Sequence, residues 1–401
     1  MGYDSINMVN VKARNQSSIL RLLNDAGPTP RKDIAAGLGL TPSGVTTLCA
    51  DLIQEGVLYE LGEVKESNKV GRRKVLVDIN YEYRYVLAIS IETPTTCVTI
   101  CDLRGGHSAE KQVQTDSDAD PAEFLRSVAD VGKALMWEAG VRRNQLLGVG
   151  VSVPGPVDHA RGVSRHAYRI WDKPVSVAAC LGEYFECPVL VENNIKAFAQ
   201  AELLYGMGRA QKNLVFLKWG PGVGSSIIIN GQIYESDAFK NAEIGHVRVD
   251  RDGEPCRCGR CGCLETKVSS HSLVRAIQAG CSETNMPKVW EACGGRPENI
   301  TVHDLPRLMA LADDGMWCVL NERIEMLADL AGAILTMLAP DRLVVYGNIF
   351  GMPQVLQRFR AACRRYDPAY DDKYVAVSEI SEKIDYIGPL AMVANELFYK
   401  G

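Results

Sequence analysis

The sequence predicts a mixed α/β protein in which a small N-terminal module precedes a larger body. Apolar residues recur at helical spacing up to about residue 55, and two alternating runs follow at 57–61 and 74–79. Further along, 148–157 reads as a buried strand that leads to a Pro-Gly turn, 189–194 is followed by a helix, and 220–225 reads as a glycine loop between two strands, an alternation typical of α/β domains. We place the module at residues 1–80 and divide the body into residues 81–195 and 196–401.

Three helices are predicted in the N-terminal module. The apolar residues of 19–23 follow helical spacing, and this first helix should end near Gly27. A second helix is expected over 31–36, a turn at 37–39, and a third helix after Thr41, a suitable N-cap. This spacing is typical of a helix-turn-helix, whose second helix enters the DNA major groove. The candidate DNA contacts in the third helix are Ser43, Gly44, Thr46 and Thr47.

A hairpin resembling a wing is predicted after the helices. The runs 57–61 and 74–79 flank a polar loop, in which residues 69–74 carry four positive charges. Such a loop suits DNA phosphates or a narrow minor groove, and the alternative is a solvated basic loop without a partner. The candidate DNA contacts here are Gly71, Arg72 and Arg73.

Composition limits the possible partners. The net charge of -5 argues against indiscriminate polyanion binding, whereas residues 1–79 hold ten Lys and Arg against nine Asp and Glu. DNA contact is therefore expected only at the N-terminal end. No apolar stretch reaches the roughly 20 residues of a membrane span, and no secretion signal is recognisable. We expect a cytoplasmic protein without membrane contact.

Four of the thirteen cysteines lie within residues 256–263. In a reducing cytosol such a cluster indicates a metal before disulfides. Cys256 and Cys258 are two residues apart, and Cys263 follows five residues later. Glycines between them would let a short loop wrap a tetrahedral ion, with an imidazole completing the set. The alternative is four reduced cysteines in a turn without metal.

Four segments resemble motifs of the ROK family (repressors, open reading frames and kinases). They are 148–157 (GVGVSVPGPV), 189–194 (VLVENN), 220–225 (GPGVGS), and 243–246 (EIGH) followed by 256–265 (CRCGRCGCLE). These motifs occur in the family's order from about residue 86 to residue 396. The chain most resembles the repressor branch, near the xylose and N-acetylglucosamine repressors. The resemblance implies a winged helix-turn-helix followed by a two-lobed actin-like ATPase fold, with the zinc loop in the C-terminal lobe.

The resemblance also assigns site residues. It implies a closed, structural Zn²⁺ site made by His246, Cys256, Cys258 and Cys263. Cys261 stands where the family usually has another residue, so its role is left open. The sugar-binding residues implied are Gly155, Asn193, Asn194, Glu243, His246 and Glu265. For Glu243 and Glu265 the alternatives are surface carboxylates or partners of the metal ligands.

The residues that phosphoryl transfer requires differ from the family's kinases. Asn194 stands where a kinase has the Asp that takes the proton of the sugar hydroxyl, and an amide cannot do so at neutral pH. The first phosphate-binding turn, Asp-x-Gly-x-Thr in the kinases, reads SIETP at 90–94, so Glu92 replaces a glycine. Pro221 replaces a Thr, and Gly347-Asn348 replaces paired glycines. We therefore predict that the protein is not an enzyme.

The leading hypothesis is a transcriptional repressor of sugar-metabolism genes that is controlled by a monosaccharide. Its partner would be double-stranded operator DNA with a palindromic sequence, bound by a homodimer or a dimer of dimers. The alternatives are an active ROK sugar kinase with a DNA-binding domain, and a regulator controlled by a partner protein. Xylose, glucose and N-acetylglucosamine all remain open as effectors. The apolar helix expected over 315–338 is a candidate interface, although packing inside the C-terminal lobe is favoured.

Overall fold

The computed structural model describes residues 8–64, 74–235, 242–311 and 313–400. The chain forms two compact units, one running to Tyr205 and resuming at Lys383, the other spanning Gly206–Glu382. The N-terminal module belongs to the first unit. Its elements are α1 (Met8–Ala26), β1 (Thr29–Pro30), α2 (Arg31–Leu38), α3 (Pro42–Gln54), β2 (Leu58–Val64) and β3 (Lys74–Ile79).

Most ends of the three helices lie where the sequence predicts: α1 ends at Ala26 beside Gly27, α2 begins at Arg31, and α3 begins directly after Thr41. Helix α1 begins earlier than predicted, at Met8, and α2 continues two residues past the predicted end at 36. Gly39 follows α2 with a φ of 65°, a left-handed conformation that glycine adopts without strain. The side chain of Thr41 accepts a hydrogen bond from the backbone N–H of Gly44 at 3.2 Å and so caps α3. The predicted three helices and the turn are confirmed.

The three helices share an apolar core. Val45, Cys49 and Leu52 lie on one face of α3 at helical spacing, and all three are buried. Ile19 and Leu23 of α1 and Ile34 of α2 are also buried, and the three helices contact one another. Leu48 of α3 is only half-buried because it lies at the edge of that face.

The hairpin predicted as a wing is present. β2 pairs antiparallel with β3 from Leu58↔Ile79 to Val64↔Lys74, with a bulge between Glu60 and Glu63. β1 adds a short third strand on the other side of β3. The predicted DNA contacts Gly71, Arg72 and Arg73 lie in 65–73, outside the described residues.

A five-stranded sheet follows in the first unit. Its strands are β4 (Tyr85–Ile91), β5 (Thr95–Asp102), β6 (His107–Gln114), β7 (Leu146–Val153) and β10 (Val189–Asn193), with the small pair β8 (Val157–Asp158) and β9 (Val163–Ser164) beside it. The order is β10-β7-β4-β5-β6, with β7 parallel to both β4 and β10. The carboxyl ends of these three strands therefore share one edge, where Glu92, Gly155 and Asn194 follow. The accompanying helices are α4 (Pro121–Glu138), α5 (Val177–Gly182) and α6 (Asn194–Tyr205).

The second unit contains another five-stranded sheet. Its strands are β11 (Leu214–Trp219), β12 (Val223–Ile229), β13 (Gln232–Ile233), β14 (Arg342–Tyr346) and β15 (Val375–Val377), in the order β13-β12-β11-β14-β15. Gly220, Pro221 and Gly222, which we call the glycine loop, join β11 to β12. The helices are α7 (Glu265–Val268), α8 (Ser270–Gly280), α9 (Pro287–Ala292), α10 (Leu305–Ala310), α11 (Asp314–Leu338) and α12 (Pro353–Cys363).

The long helix α11 packs inside the second unit, in agreement with the prediction that favoured packing inside the lobe over an interface. Leu320, Ile324 and Leu327 are fully buried and belong to the same apolar core as Phe359 of α12 and Val345 of β14. Neither this helix nor any other described helix combines the length and apolar character needed to cross a bilayer.

From Lys383 the chain returns to the first unit. Helix α13 (Ile387–Ala394) packs against α6 and β7, and the π-helical turn Asn395–Tyr399 follows it. The contact with β7 is close, because a Cβ at Gly150 would lie 2.1 Å from the carbonyl oxygen of Pro389. The domain boundaries at 80 and 195 remain predictions, since the two units are defined by compactness alone.

Candidate functional site

One histidine and three cysteines of the second unit form a compact cluster. The ligand atoms of His246, Cys256, Cys258 and Cys263 all lie within 4.8 Å of one another. Cys256 Sγ is 3.6 Å from His246 Nδ1, and Cys258 Sγ is 3.6 Å from Cys263 Sγ. Cys261 is exposed and lies outside this group. The four residues that the sequence singled out are therefore arranged so that they can hold a metal ion.

The backbone of residues 247–263 folds back on itself to build this cluster. Val249 and Asp250 both donate backbone hydrogen bonds to the carbonyl of Gly262, and Cys256 donates to that of Arg260 at 2.6 Å. Gly262 has a φ of 70°, and a Cβ there would lie 1.7 Å from the carbonyl oxygen of Asp250. Only glycine permits this approach, so Gly262 is required for the loop to close.

The thiols experience opposing electrostatic effects. Burial acts to raise the pKa of Cys258, but hydrogen bonds from the side chain and backbone of Arg260 outweigh it and lower the pKa. The Arg260 Nε donates to Cys258 Sγ at 3.5 Å. Burial raises the pKa of Cys263 to about 12. A cation between the sulfurs would stabilise all three thiolates together.

An open cavity of about 460 Å³ lies beside the cluster. It is lined by Glu243, His246, Val247, Arg248, Arg260 and Cys261. While Nδ1 of His246 is turned toward Cys256, its Nε2 lies 3.7 Å from Oε2 of Glu243. A carboxylate at the second nitrogen of a metal-binding imidazole fixes the orientation of the ring. Glu243 therefore connects the cysteine cluster with the cavity.

Glu265 connects the cysteine loop with the glycine loop. It begins α7 two residues after Cys263, and its Oε2 accepts a hydrogen bond from the backbone N–H of Val223 at 2.8 Å. The glycine loop fits closely around this carboxylate, since a Cβ at Gly222 would lie 2.9 Å from Oε1. The arrangement fixes the position of Glu265, while its contact with a sugar remains a prediction.

In the first unit, Asn193 fixes the start of α6 and the turn after β7. Its Oδ1 accepts hydrogen bonds from the backbone N–H groups of Ile195 and Lys196 at 2.9 and 3.2 Å. Its Nδ2 donates to the carbonyl oxygen of Gly155 at 2.9 Å. Asn193 thus fixes the turn at Gly155 and the first turn of α6, which begins at Asn194. The resemblance to the family assigned both Gly155 and Asn194 to sugar binding.

Glu92 and Asn194 contact each other at the same edge of the sheet. Nδ2 of Asn194 donates a hydrogen bond to Oε1 of Glu92. The backbone carbonyl of Glu92 accepts from the hydroxyl of Thr115 at 2.6 Å, which in turn lies 2.7 Å from the hydroxyl of Thr96. Sequence reasoning treated Glu92 and Asn194 as separate departures from the kinases. Both residues directly follow a strand, and strands of one parallel sheet end at the same edge. This was the only signal in the sequence that could have indicated their contact.

Comparison with known proteins identifies this arrangement. Residues 86–395 match the ROK family, and residues 13–59 match a winged helix-turn-helix DNA-binding family. This chain belongs to the ROK family. The resemblance and the fold class predicted from the sequence, a winged helix-turn-helix followed by an actin-like ROK body, are confirmed.

Similar proteins match either about two thirds of the chain or nearly all of it. The xylose repressor of Bacillus spizizenii is 25% identical over 268 residues, which are 67% of this chain and 69% of that protein. The xylose repressor of Caldicellulosiruptor bescii is 24% identical over 399 residues, 96% of this chain and 97% of that protein. The crystal structure of a ROK family transcriptional regulator, a homolog of the E. coli MLC protein, matches with a TM-score of 0.78, 21% identity and 98% coverage of both chains.

The predicted DNA contacts of this ROK protein lie at the start of α3. Ser43, Thr46 and Thr47 are exposed, and Gly44 is half-buried. The hydroxyls of Thr46 and Thr47 donate to backbone carbonyls one turn earlier, at 2.8 and 3.2 Å, so their oxygens remain able to accept hydrogen bonds. Their contact with DNA remains a prediction.

Sequence reasoning missed a contact between α1 and the ROK body. The hydroxyl of Tyr399 donates to Oδ1 of Asn24 at 3.0 Å, and Arg21 donates to Oδ1 of Asn395 at 3.0 Å. Nδ2 of Asn24 donates to the carbonyl of Leu204, in the last turn of α6, at 2.9 Å. No motif signals such contacts, because each partner is a single polar residue far away in the sequence.

Proposed function

We propose that this protein is a DNA-binding transcriptional repressor of sugar-metabolism genes, controlled by a monosaccharide effector that it binds without phosphoryl transfer. One observation carries the proposal. Asn194 stands at the position of the kinase base, and it donates a hydrogen bond to Glu92, which stands at the position of a phosphate-binding glycine. The same chain holds a winged helix-turn-helix. Relatives named xylose repressors, one of them matching almost end to end, support it.

Phosphoryl transfer to a sugar needs a base and space for phosphates. The amide of Asn194 cannot take a proton at neutral pH, and Glu92 brings a negative charge to the turn after β4. Loss of the general base alone lowers a rate by a factor of roughly 100 to 10,000. These residues support a ROK body that binds a ligand and leaves it unchanged, so we propose that the protein is not an enzyme.

The proposed DNA-binding surface is the start of α3 together with the basic segment between β2 and β3. Two such modules in a homodimer, or a dimer of dimers, would read a palindromic double-stranded operator. Two linked contacts raise the affinity well above that of one module. This function places the protein in the cytoplasm, where the operator is.

The proposed cofactor is a structural Zn²⁺ held by His246, Cys256, Cys258 and Cys263. Three thiolates and one imidazole are a ligand set that zinc prefers, and four protein ligands leave no open position. The metal would supply folding energy to the loop. Glu243 precedes the first ligand by three residues and Glu265 follows the last by two, so the metal would also hold both carboxylates in place.

The proposed sugar contacts are the residues that the resemblance to the family assigned. They are Gly155, Asn193, Asn194, Glu243, His246 and Glu265. Carboxylates and amides supply the fixed acceptors and donors that sugar hydroxyls require. His246 would have to share its Nε2 between Glu243 and a hydroxyl. Xylose, glucose and N-acetylglucosamine are the sugars to test first.

Helix α6 offers a direct route from the ligand to the DNA-binding module. Its first residue is Asn194, and the carbonyl of Leu204 in its last turn accepts the hydrogen bond from Asn24 of α1. Helix α13 packs along α6, and Tyr399 just beyond α13 contacts Asn24 as well. A ligand that shifts Asn194 would therefore act on one end of a rigid element whose other end holds α1. The effector changes operator affinity only if it binds the two arrangements unequally.

Thermal unfolding of the full-length, zinc-loaded protein in the presence of single monosaccharides tests this function. Preferential binding to the folded protein raises the unfolding midpoint, and we expect at least one sugar to do so. The same sugar should change the affinity for operator DNA selected from random sequences, without ATP. Sugar-dependent ATP consumption would favour the kinase alternative. A panel in which no sugar raises the midpoint, with operator binding intact, would favour control by a partner protein.

A further inference from the structure

The Glu92 carboxylate lies beside the side chain of Asn194. It lies directly after β4 and is half-buried, and its Oε1 accepts the hydrogen bond from Nδ2 of Asn194. A carboxylate can only accept, so it orients the amide with the nitrogen toward Glu92. The Oδ1 of Asn194 is then the atom that can meet a ligand, and it requires a hydrogen-bond donor.

The start of α6 would otherwise attract an anion. Helix N-termini favour negative groups because their first backbone N–H groups lack partners within the helix. Here Oδ1 of Asn193 already accepts from the N–H groups of Ile195 and Lys196. These donors are therefore occupied, and an anion placed at Asn194 would meet the carboxylate of Glu92.

We propose that the effector is an uncharged monosaccharide with a free hydroxyl where it meets Asn194, and that Glu92 excludes sugars phosphorylated at that hydroxyl. The proposal rests on the proposed function and narrows its ligand class. The hydroxyl donates its proton to Oδ1 of Asn194. A phosphate ester at that oxygen has no proton to donate at neutral pH, and it would bring up to two negative charges next to Glu92. Like charges a few ångströms apart weaken binding by roughly tenfold or more.

Calorimetry on the full-length protein tests this proposal with matched ligands. The probes are glucose and N-acetylglucosamine, each with its 1-phosphate and 6-phosphate, and xylose with its 1-phosphate. We expect a parent sugar to bind at least about tenfold more tightly than the ester that is phosphorylated at the hydroxyl near Asn194. The Glu92→Gln variant keeps an acceptor oxygen for Asn194 but loses the charge. The affinity of this variant for the parent sugar should stay within about threefold of the wild-type affinity. Its preference for the parent sugar over the phosphate ester should fall to about threefold.

Two further variants keep the result interpretable. Glu186→Gln changes the net charge equally on a side chain that is 79% exposed, and it should leave every ratio unchanged. Glu92→Ala removes the charge and the hydrogen bond, so it should reduce the preference as well while weakening the parent sugar. The unfolding midpoint of each variant shows whether it is folded.

The possible results separate the two proposals. Esters that bind wild type as tightly as their parent, or ratios that neither Glu92 variant changes, would overturn the role of Glu92 and leave a sugar-binding repressor. Binding of an ester without binding of its parent would also overturn it. Absence of binding by every parent and every ester would overturn the sugar-controlled function itself, and this proposal with it.

Discussion

The hydroxyl of Tyr399, near the end of the chain, donates a hydrogen bond to the side-chain oxygen of Asn24 in the first helix, at 3.0 Å. Tyr399 is fully buried, and Nδ2 of Asn24 is held by the carbonyl of Leu204. The DNA-binding module is therefore attached to the ROK body at α6 and beyond α13. In the proposed function, a sugar influences DNA binding through this attachment.

Replacing Tyr399 with Phe should weaken this coupling. The change keeps the ring and its packing, but it removes one hydrogen bond worth about 1 kcal/mol, or roughly a fivefold change in an equilibrium. We expect sugar affinity to stay the same, while the sugar-dependent change in operator affinity falls several-fold in fluorescence anisotropy titrations. Tyr374→Phe is the control, since it removes a 3.0 Å hydrogen bond to Pro340 in the second unit. Equal responses in wild type and Tyr399→Phe would exclude this contact from the coupling.

Metal analysis of the purified protein should find one zinc ion per chain. The Cys258→Ser variant should lose most of it, and its unfolding midpoint should fall, because the metal supplies folding energy to the loop. Cys261→Ser is the matched control: it changes a cysteine of the same loop that is exposed and outside the cluster, so it should retain zinc. Wild-type protein with less than about a tenth of an equivalent of zinc would contradict the assignment.

Restoring the acid at position 194 should not create a kinase. In Asn194→Asp two carboxylates would contact each other, so at neutral pH one of them would have to take up a proton or the pair would separate. We expect no sugar-dependent ADP release in a coupled assay, and weaker sugar binding. The double variant Asn194→Asp with Glu92→Gln should recover sugar binding, because the Gln amide can donate a hydrogen bond to the new carboxylate. Steady sugar-dependent turnover in the single variant would refute the account of the missing chemistry.

Glu243→Ala should weaken sugar binding by about fivefold or more, so that the response needs correspondingly more sugar, and it should leave operator binding intact. Glu243 lines the cavity beside the cysteine cluster and lies 3.7 Å from His246, so its loss removes a hydroxyl partner worth on the order of 1 kcal/mol or more. Zinc content should be measured as well, since the carboxylate also orients the imidazole. Glu254→Ala is the control, because that side chain is exposed and pairs with Arg275. A response at wild-type sugar concentrations would remove Glu243 from the site.

The features predicted from sequence are those with a local cause. Helix α3 begins at Thr41 because the hydroxyl of that residue caps it, and the cysteines converge because glycines allow the loop to turn. The pair of Glu92 and Asn194 was not predicted, because it depends on two strands, 102 positions apart in sequence, ending at one edge of a sheet. The contact of Asn24 with Tyr399 also depends on the return of the chain to the first unit, which no periodicity reveals.

The most direct test is a titration of fluorescent operator DNA with the purified protein, with and without the monosaccharide that raises its unfolding midpoint, in the absence of any nucleotide. The account predicts that the sugar alone changes the dissociation constant of the operator complex by tenfold or more, in line with a coupling free energy of roughly 1–3 kcal/mol. The sugar should be recovered chemically unchanged. An operator affinity that the sugar changes only together with ATP, with a sugar phosphate formed, would contradict it.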